Sequence, residues 1–174
     1  MTLKLLSKKP LNRISINEIT AQAKVNRSTF YRYFVDKEAL VEFYENQIIA
    51  RLEAHRYKMI SDFQKSHSFF ADENVRNIIQ IFADDKEQLQ ILLNPQSKSG
   101  FDDRLAAKMI ELVRNSLMEI NPNLSLQEAN LLSSYHANGI VGIIKLWINN
   151  PQYNNEQVIA FTQAVTSKGI LGLF

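Results

Sequence analysis

The chain contains no cysteine, which excludes disulfide frameworks, cysteine-rich zinc sites and thiol nucleophiles. Glycine is nearly as scarce. Gly100, Gly139, Gly142, Gly169 and Gly172 are the five among 174 residues, too few and too scattered for a glycine-rich phosphate or dinucleotide loop. Four prolines, at 10, 95, 122 and 151, stand far apart like punctuation between long segments. The longest apolar run, 139–148, is interrupted by Lys145 and falls well short of the roughly 20 residues that span a bilayer. The Met1 start lacks a signal-peptide stretch, so the expected setting is the cytoplasm, with no membrane partner. His55, His67 and His136 are too scattered for a metal site. No Ser/His/Asp spacing or carboxylate pair stands out, so neither an enzyme nor a cofactor is expected.

What remains is a chain with 45% apolar residues and few helix breakers, a composition that points to an all-α protein. Its formal charge of +2 looks neutral but is unevenly placed. Residues 1–37 hold eight basic side chains, Lys4, Lys8, Lys9, Arg13, Lys24, Arg27, Arg32 and Lys37, against Glu18 and Asp36, a net +6. The remaining twelve basic and sixteen acidic residues give −4. A basic head on a mildly acidic body suits a chain whose one end meets a polyanion. Charge alone leaves a solvated, lysine-rich terminus as an equal reading.

Local pattern separates the two. Ser15-Ile16-Asn17-Glu18 has capping-box spacing, so a helix starts there. Ile16, Ile19 and Ala23 then share one face, with the Thr20 methyl beside them, while Asn17, Glu18 and Gln22 point outward. Lys24-Val25-Asn26 breaks this stripe. Asn26 can cap a second segment, 27–34, in which Phe30 and Phe34 point one way and Val25 packs at the entry. Arg27, Ser28, Thr29, Tyr31, Arg32 and Tyr33 are left on its other faces. Two short helices joined by a tight turn, the second polar, basic and aromatic outside, describe a helix-turn-helix. Its second helix, about 10–12 Å across, fits a major groove about 12 Å wide.

The runs Ile14-Ser15-Ile16-Asn17-Glu18-Ile19, Ala23 through Phe34 (AKVNRSTFYRYF) and Asp36-Lys37-Glu38-Ala39-Leu40 resemble the DNA-binding domain of TetR/AcrR-family transcriptional regulators. The resemblance covers about residues 3–45 and is most specific in Ser-Thr-Phe-Tyr-Arg-Tyr-Phe followed by Asp-Lys-Glu. It implies that Arg27 reads a guanine edge and that Ser28 approaches a base or a thymine methyl. It implies further that Thr29, Tyr31 and Tyr33 meet phosphates and neighbouring bases, that Lys37 meets a phosphate, and that Asn17 lies at the groove edge. The competing readings are packing for the two tyrosines and solvated charge for Arg27 and Lys37. Arg32, which could pair with acids of its own domain, is left out of the site. Two features depart from the family pattern. Lys24 stands where a glycine is common, and a left-handed backbone there would cost about 1–2 kcal/mol. Only Met1 to Lys9 precede Pro10, so Leu3, Leu5 and Leu6 supply a short first helix, expected to be a poor lid or the remnant of a chain that starts late.

Beyond the head, Asp36 caps a long linking helix with Leu40, Val41, Tyr44, Ile48 and Leu52 on one stripe. Further helices are marked by Val75 to Phe82, by Leu89 to Leu93, and by Phe101 to Leu117. Gln96–Gly100 is the expected mobile loop. A second capping box, Ser125 to Glu128, opens a helix to about Asn149. Its apolar surface, with Leu132, His136, Gly139, Ile140, Ile143 and Trp147 on one side and Leu131, Tyr135, Val141, Gly142 and Ile148 widening it, needs cover on two sides. A last helix follows Pro151, with Ile170, Leu171, Leu173 and Phe174 beyond it.

The expected architecture is therefore all-α, an N-terminal helix-turn-helix head (1–45) plus a C-terminal helical bundle for ligand sensing and dimerisation (46–174). The resemblance implies a homodimeric, sequence-specific regulator of transcription, a repressor by family habit, that binds a near-palindromic operator in double-stranded DNA and answers a small-molecule effector. Phe101, Tyr135, His136 and Trp147 are candidate ligand-lining residues, with core packing as the rival reading. Burial of both C-terminal helices within one monomer is the alternative to the dimer. A helical coactivator or adaptor with weak DNA binding, suggested by the short first helix, is the alternative function.

Overall fold

Both capping boxes form. Ser15 Oγ accepts from the Glu18 amide at 3.2 Å while the Glu18 carboxylate accepts from the Ser15 amide at 2.9 Å. Ser125 and Glu128 repeat the exchange at 3.2 and 3.1 Å. Each satisfies two amide donors that a helix start would otherwise leave open, and losing such a cap costs about 0.5–2 kcal/mol. The computed structural model describes residues 3–66 and 72–168, and among the described residues there is no strand.

The helices are α1 Leu3–Leu6, α2 Ile16–Ala23, α3 Arg27–Tyr33, α4 Lys37–Ser66, α5 Asp72–Asp84, α6 Lys86–Leu92, α7 Phe101–Ile120, α8 Leu126–Asn149 and α9 Asn155–Lys168, with short 3-10 turns at Leu11–Arg13 and Pro95–Ser97. Asp36 caps α4 by accepting from the Ala39 amide at 2.7 Å. The 30 residues of α4 extend about 45 Å, well past Leu52, the last stripe residue named from the sequence. One end of α4 belongs to the head and the rest packs on α5 and α7. The expected residues Ile170, Leu171, Leu173 and Phe174 lie outside the described residues.

The core is continuous from head to body. Leu3, Leu6, Leu11, Ile14, Ile19 and Phe30 join Ile48, Leu52, Ile79, Phe82, Leu105, Met109, Ile144 and Trp147 in one buried cluster. The short α1 is a better lid than expected. Leu3 and Leu6 are buried, the 3-10 turn adds Leu11, and α1 also packs against α6 of the body. Val25, expected to pack at the entry of α3, is instead 41% exposed.

Gln96–Gly100, expected to be mobile, is tied down. Ser97 is buried and its hydroxyl donates to the Asn94 carbonyl at 2.8 Å. Ser99 Oγ donates to the Leu92 carbonyl at 2.7 Å, and Arg104 donates to the Ser99 carbonyl at 2.8 Å. Arg104 also grips both carboxylate oxygens of Glu45, at 2.7 and 3.0 Å. Glu45 sits on the inner face of α4 and is 1% exposed. Burial pushes its pKa up, and the Arg104 guanidinium works against that shift. No helix among the described residues is long and apolar enough to cross a membrane.

Candidate nucleic-acid interface

The angle between α2 and α3 is set by their turn. Lys24 adopts a left-handed conformation, φ 54° and ψ 39°. Its amide donates to the Ala21 carbonyl at 3.2 Å and the Val25 amide to the Thr20 carbonyl at 3.1 Å. This paired closure of a helix C-terminus is the one glycine usually makes. The turn has the geometry a glycine would give, and Lys24 carries the strain.

Asn26 then starts α3. Its Oδ1 accepts from the Thr29 amide and from the hydroxyls of Ser28 and Thr29, each at 2.7 Å. Phe30 fixes the rotation of α3. It is buried, edge-on to Tyr31 at 5.5 Å and tilted against Phe34 at 5.8 Å. With Phe30 anchored inward, Arg27, Ser28, Tyr31, Arg32 and Tyr33 are exposed.

Arg27 is held in place. One guanidinium nitrogen donates to Asn17 Oδ1 at 3.3 Å and another to the Tyr31 hydroxyl at 3.0 Å, with the guanidinium carbon 5.3 Å from the Tyr31 ring centre. Asn17 on α2 thus touches Arg27 on α3, linking the two helices through their solvent side. Tyr33 is 71% exposed, so packing does not account for its ring. Lys37 is half-buried and donates to the Ile14 carbonyl at 2.9 Å. One of its three N–H groups therefore secures α4 to the entry of α2, a role the sequence reading missed.

Charge on the head is only partly neutralised. Lys9 pairs with Glu18, whose carboxyl is held down at about 2 by that lysine and by the Ser15 amide and hydroxyl. Arg32 is exposed and makes no ion pair among the described residues, so the internal partner considered for it is not found there.

Two neighbouring openings in the body have mainly apolar walls. A cleft of about 50 Å³ lies between α4, α5, α7 and α8, walled by Leu52, Met59, Ile78 and Leu112 and containing His55, Asn74, Ser116 and His136. Beside it a groove of about 600 Å³ runs between α7, α8 and α9, lined by Leu132, Tyr135, His136, Gly139, Ile143 and Phe161. Of the four candidate ligand residues, His136 lines both and Tyr135 the groove. Burial holds His136 down at about 4, so its ring is neutral at pH 7. Phe101 and Trp147 line neither. Phe101 is fully buried at the start of α7, and Trp147 lies in the core with the Lys86 ammonium 4.7 Å from its ring centre.

Besides His136, the cleft's polar residues His55, Asn74 and Ser116 were not singled out from the sequence as ligand residues. A signal was there, because His55 and Asn74 occupy core-facing positions on the apolar stripes of α4 and α5. No group of side chains suited to a metal ion occurs among the described residues.

Comparison with known proteins agrees with the head and extends to the body. Residues 1–43 match the family described as bacterial regulatory proteins, tetR family. Residues 71–168 match the family described as transcriptional regulator C-terminal region. No curated protein and no solved structure matches the chain.

Proposed function

The chain belongs to the TetR family of bacterial regulatory proteins and is a DNA-binding regulator of transcription, and we propose that it acts as a homodimeric repressor released by a small-molecule effector. The observation that carries the DNA-reading part is the exposed Arg27 guanidinium, held between Asn17 and Tyr31 at the start of α3. An arginine fixed in this way loses less freedom when it meets a guanine edge in the major groove. Ser28 is the second base-reading residue. Thr29, Tyr31, Tyr33 and the free N–H groups of Lys37 take phosphates, which set affinity and placement. Asn17 acts chiefly by aiming Arg27.

The dimer rests on the outer face of α8 and α9. Leu131, Tyr135 and Leu146 are more than half exposed, and Leu132 and Phe161 nearly half. A Cβ added at Gly139 or Gly142 would meet nothing within 4 Å inside the chain. Such a surface, apolar and open beside two glycines, suits the same helices of a second copy around a twofold axis. Two heads would then face two half-sites of a near-palindrome.

Head (1–45) and body (46–174) share α4, so an effector in the body acts by favouring one placement of α4 over another. It must bind one placement better, or it shifts nothing. The adaptor reading drew on a weak first helix, and the burial of Leu3 and Leu6 removes that ground. Selection from random-sequence duplexes at low salt tests the proposal. Enrichment of a near-palindrome is expected; a folded dimer that enriches no sequence would sink it.

A further inference from the structure

The cleft between α4, α5, α7 and α8 contains polar groups that the protein itself leaves unanswered. Asn74 is 4% exposed, and neither its amide nitrogen nor its amide oxygen has a hydrogen-bond partner. His55 is 8% exposed, and its Nε2 is also without a partner. Burial lowers the His55 pKa, against a smaller opposing influence of the Asn74 backbone, so the neutral ring is favoured at pH 7. A neutral imidazole carries one N–H and one lone pair, so Nε2 can meet a ligand as donor or acceptor. Buried polar groups are ordinarily paired, so this concentration in one apolar cleft marks a place built for something else to bind.

The donor and acceptor pattern narrows what that is. Asn74 offers an NH2 donor and an oxygen acceptor side by side, and His55 Nε2 adds a third polar atom. A carboxylate could take N–H groups of Asn74 and the unpartnered Arg56 Nε–H, but it has no donor for the Asn74 oxygen, and the Arg56 charge is already answered by Glu119. An ammonium would lose its hydration among Leu52, Met59, Ile78 and Leu112, and no carboxylate lines the cleft to meet it. A neutral group with N–H and C=O on the same edge answers both atoms of Asn74 in one cyclic pair of hydrogen bonds. The cleft, at about 50 Å³, admits roughly three to five water-sized groups.

We propose that this cleft binds a small uncharged ligand of the amide or lactam class through Asn74, with His55 as a second polar contact. This inference deepens the effector reading and rests on it for its regulatory meaning, but the binding itself requires no DNA.

The test uses the full chain and 2-pyrrolidinone as the probe, with cyclopentanone (acceptor only) and butyrate (anionic) as controls, each at tens of millimolar because so small a probe binds weakly. Shifts of backbone amide resonances around residues 55 and 74 are read by NMR, together with Tm. Pyrrolidinone should shift these resonances and raise Tm, with at least tenfold weaker effects from both controls. Asn74→Leu removes the unpaired amide in a similar volume, so it should raise the ligand-free Tm while abolishing the pyrrolidinone response. Equal responses to pyrrolidinone and cyclopentanone, no response to pyrrolidinone, or a retained response in Asn74→Leu would each overturn the proposal. A protein that enriches an operator yet ignores pyrrolidinone refutes the amide class alone. One that binds pyrrolidinone but enriches no duplex refutes the regulator reading and leaves the cleft's chemistry standing.

Discussion

Lys24 shows how one side chain can be out of keeping with its backbone and still be tolerated. Its φ of 54° is a conformation that glycine adopts without a steric cost and lysine does not. Lys24→Gly should therefore stabilise the chain by about 0.5–1 kcal/mol, the strain relief being partly offset by the greater freedom of glycine when unfolded. A rise in the urea midpoint with an unchanged slope would establish this; a fall would mean that the lysine side chain contributes more than the strain costs. Glu45 is the opposite case, a buried charge made acceptable by one partner. Removing the guanidinium with Arg104→Ala should cost about 3 kcal/mol at neutral pH, since it strands a buried carboxylate. Burial already raises the Glu45 pKa, and losing Arg104 removes the influence that lowers it. A raised carboxyl takes up its proton more readily when folded, so stability lost above the folded pKa is regained as pH falls. The penalty of Arg104→Ala should thus shrink from pH 7 towards pH 4.5, the ordinary value. Denaturation at several pH values checks the sign.

At the scale of elements, α2 and α3 work as a unit because the Lys24 turn fixes their angle and Phe30 fixes the rotation of α3. The exposed set on α3 was legible in the sequence, since capping residues and the spacing of Ile19, Phe30 and Phe34 settle which side chains face inward and leave the rest outside. Their partnerships were not. Asn17 and Arg27 are ten positions apart and meet only after the turn forms. Lys37 reaches back twenty-three positions to Ile14. Arg27→Ala should relax selection at one base position, a change of about 1–3 kcal/mol in discrimination, whereas Lys37→Ala should weaken all duplexes alike and flatten the salt dependence. Because Lys37 also secures α4 to α2, its variant should lose some thermal stability as well. Equal effects of both changes on every sequence would refute the division. The same limit hid the cleft, as a polar residue on an apolar stripe reveals itself only once the neighbouring helices show whether it has a partner. Phe101 and Trp147 illustrate the converse, aromatic residues whose sequence setting suits a pocket wall but whose burial is complete.

For the whole molecule, the proposed dimer places the exposed apolar face of α8 and α9 between two copies. Leu131 is 73% exposed and meets little within its own chain, so Leu131→Glu should leave the monomer fold intact while opposing association by burying a charge at the twofold interface. Light scattering at low micromolar concentration should show a dimer for the parent chain and a monomer for the variant, with the helical circular dichroism unchanged. A monomeric parent chain would remove the basis for paired half-sites.

What the sequence by itself determined was local: the absence of cysteine and the scarcity of glycine, the all-helical content, both capping boxes, the basic head, and the outward set from Arg27 to Tyr33. These follow from propensities and from spacings of three or four residues, which short-range physics settles. Only the tertiary structure decided that Lys24 accepts the left-handed turn, that Asn17 and Tyr31 hold Arg27, that Glu45 is buried on Arg104, and that Asn74 and His55 meet unpaired in one cleft. The first two rest on the turn that sets α2 against α3, and the last two on the packing of α4 against α7 and α5, contacts that the spacing within any one helix does not specify.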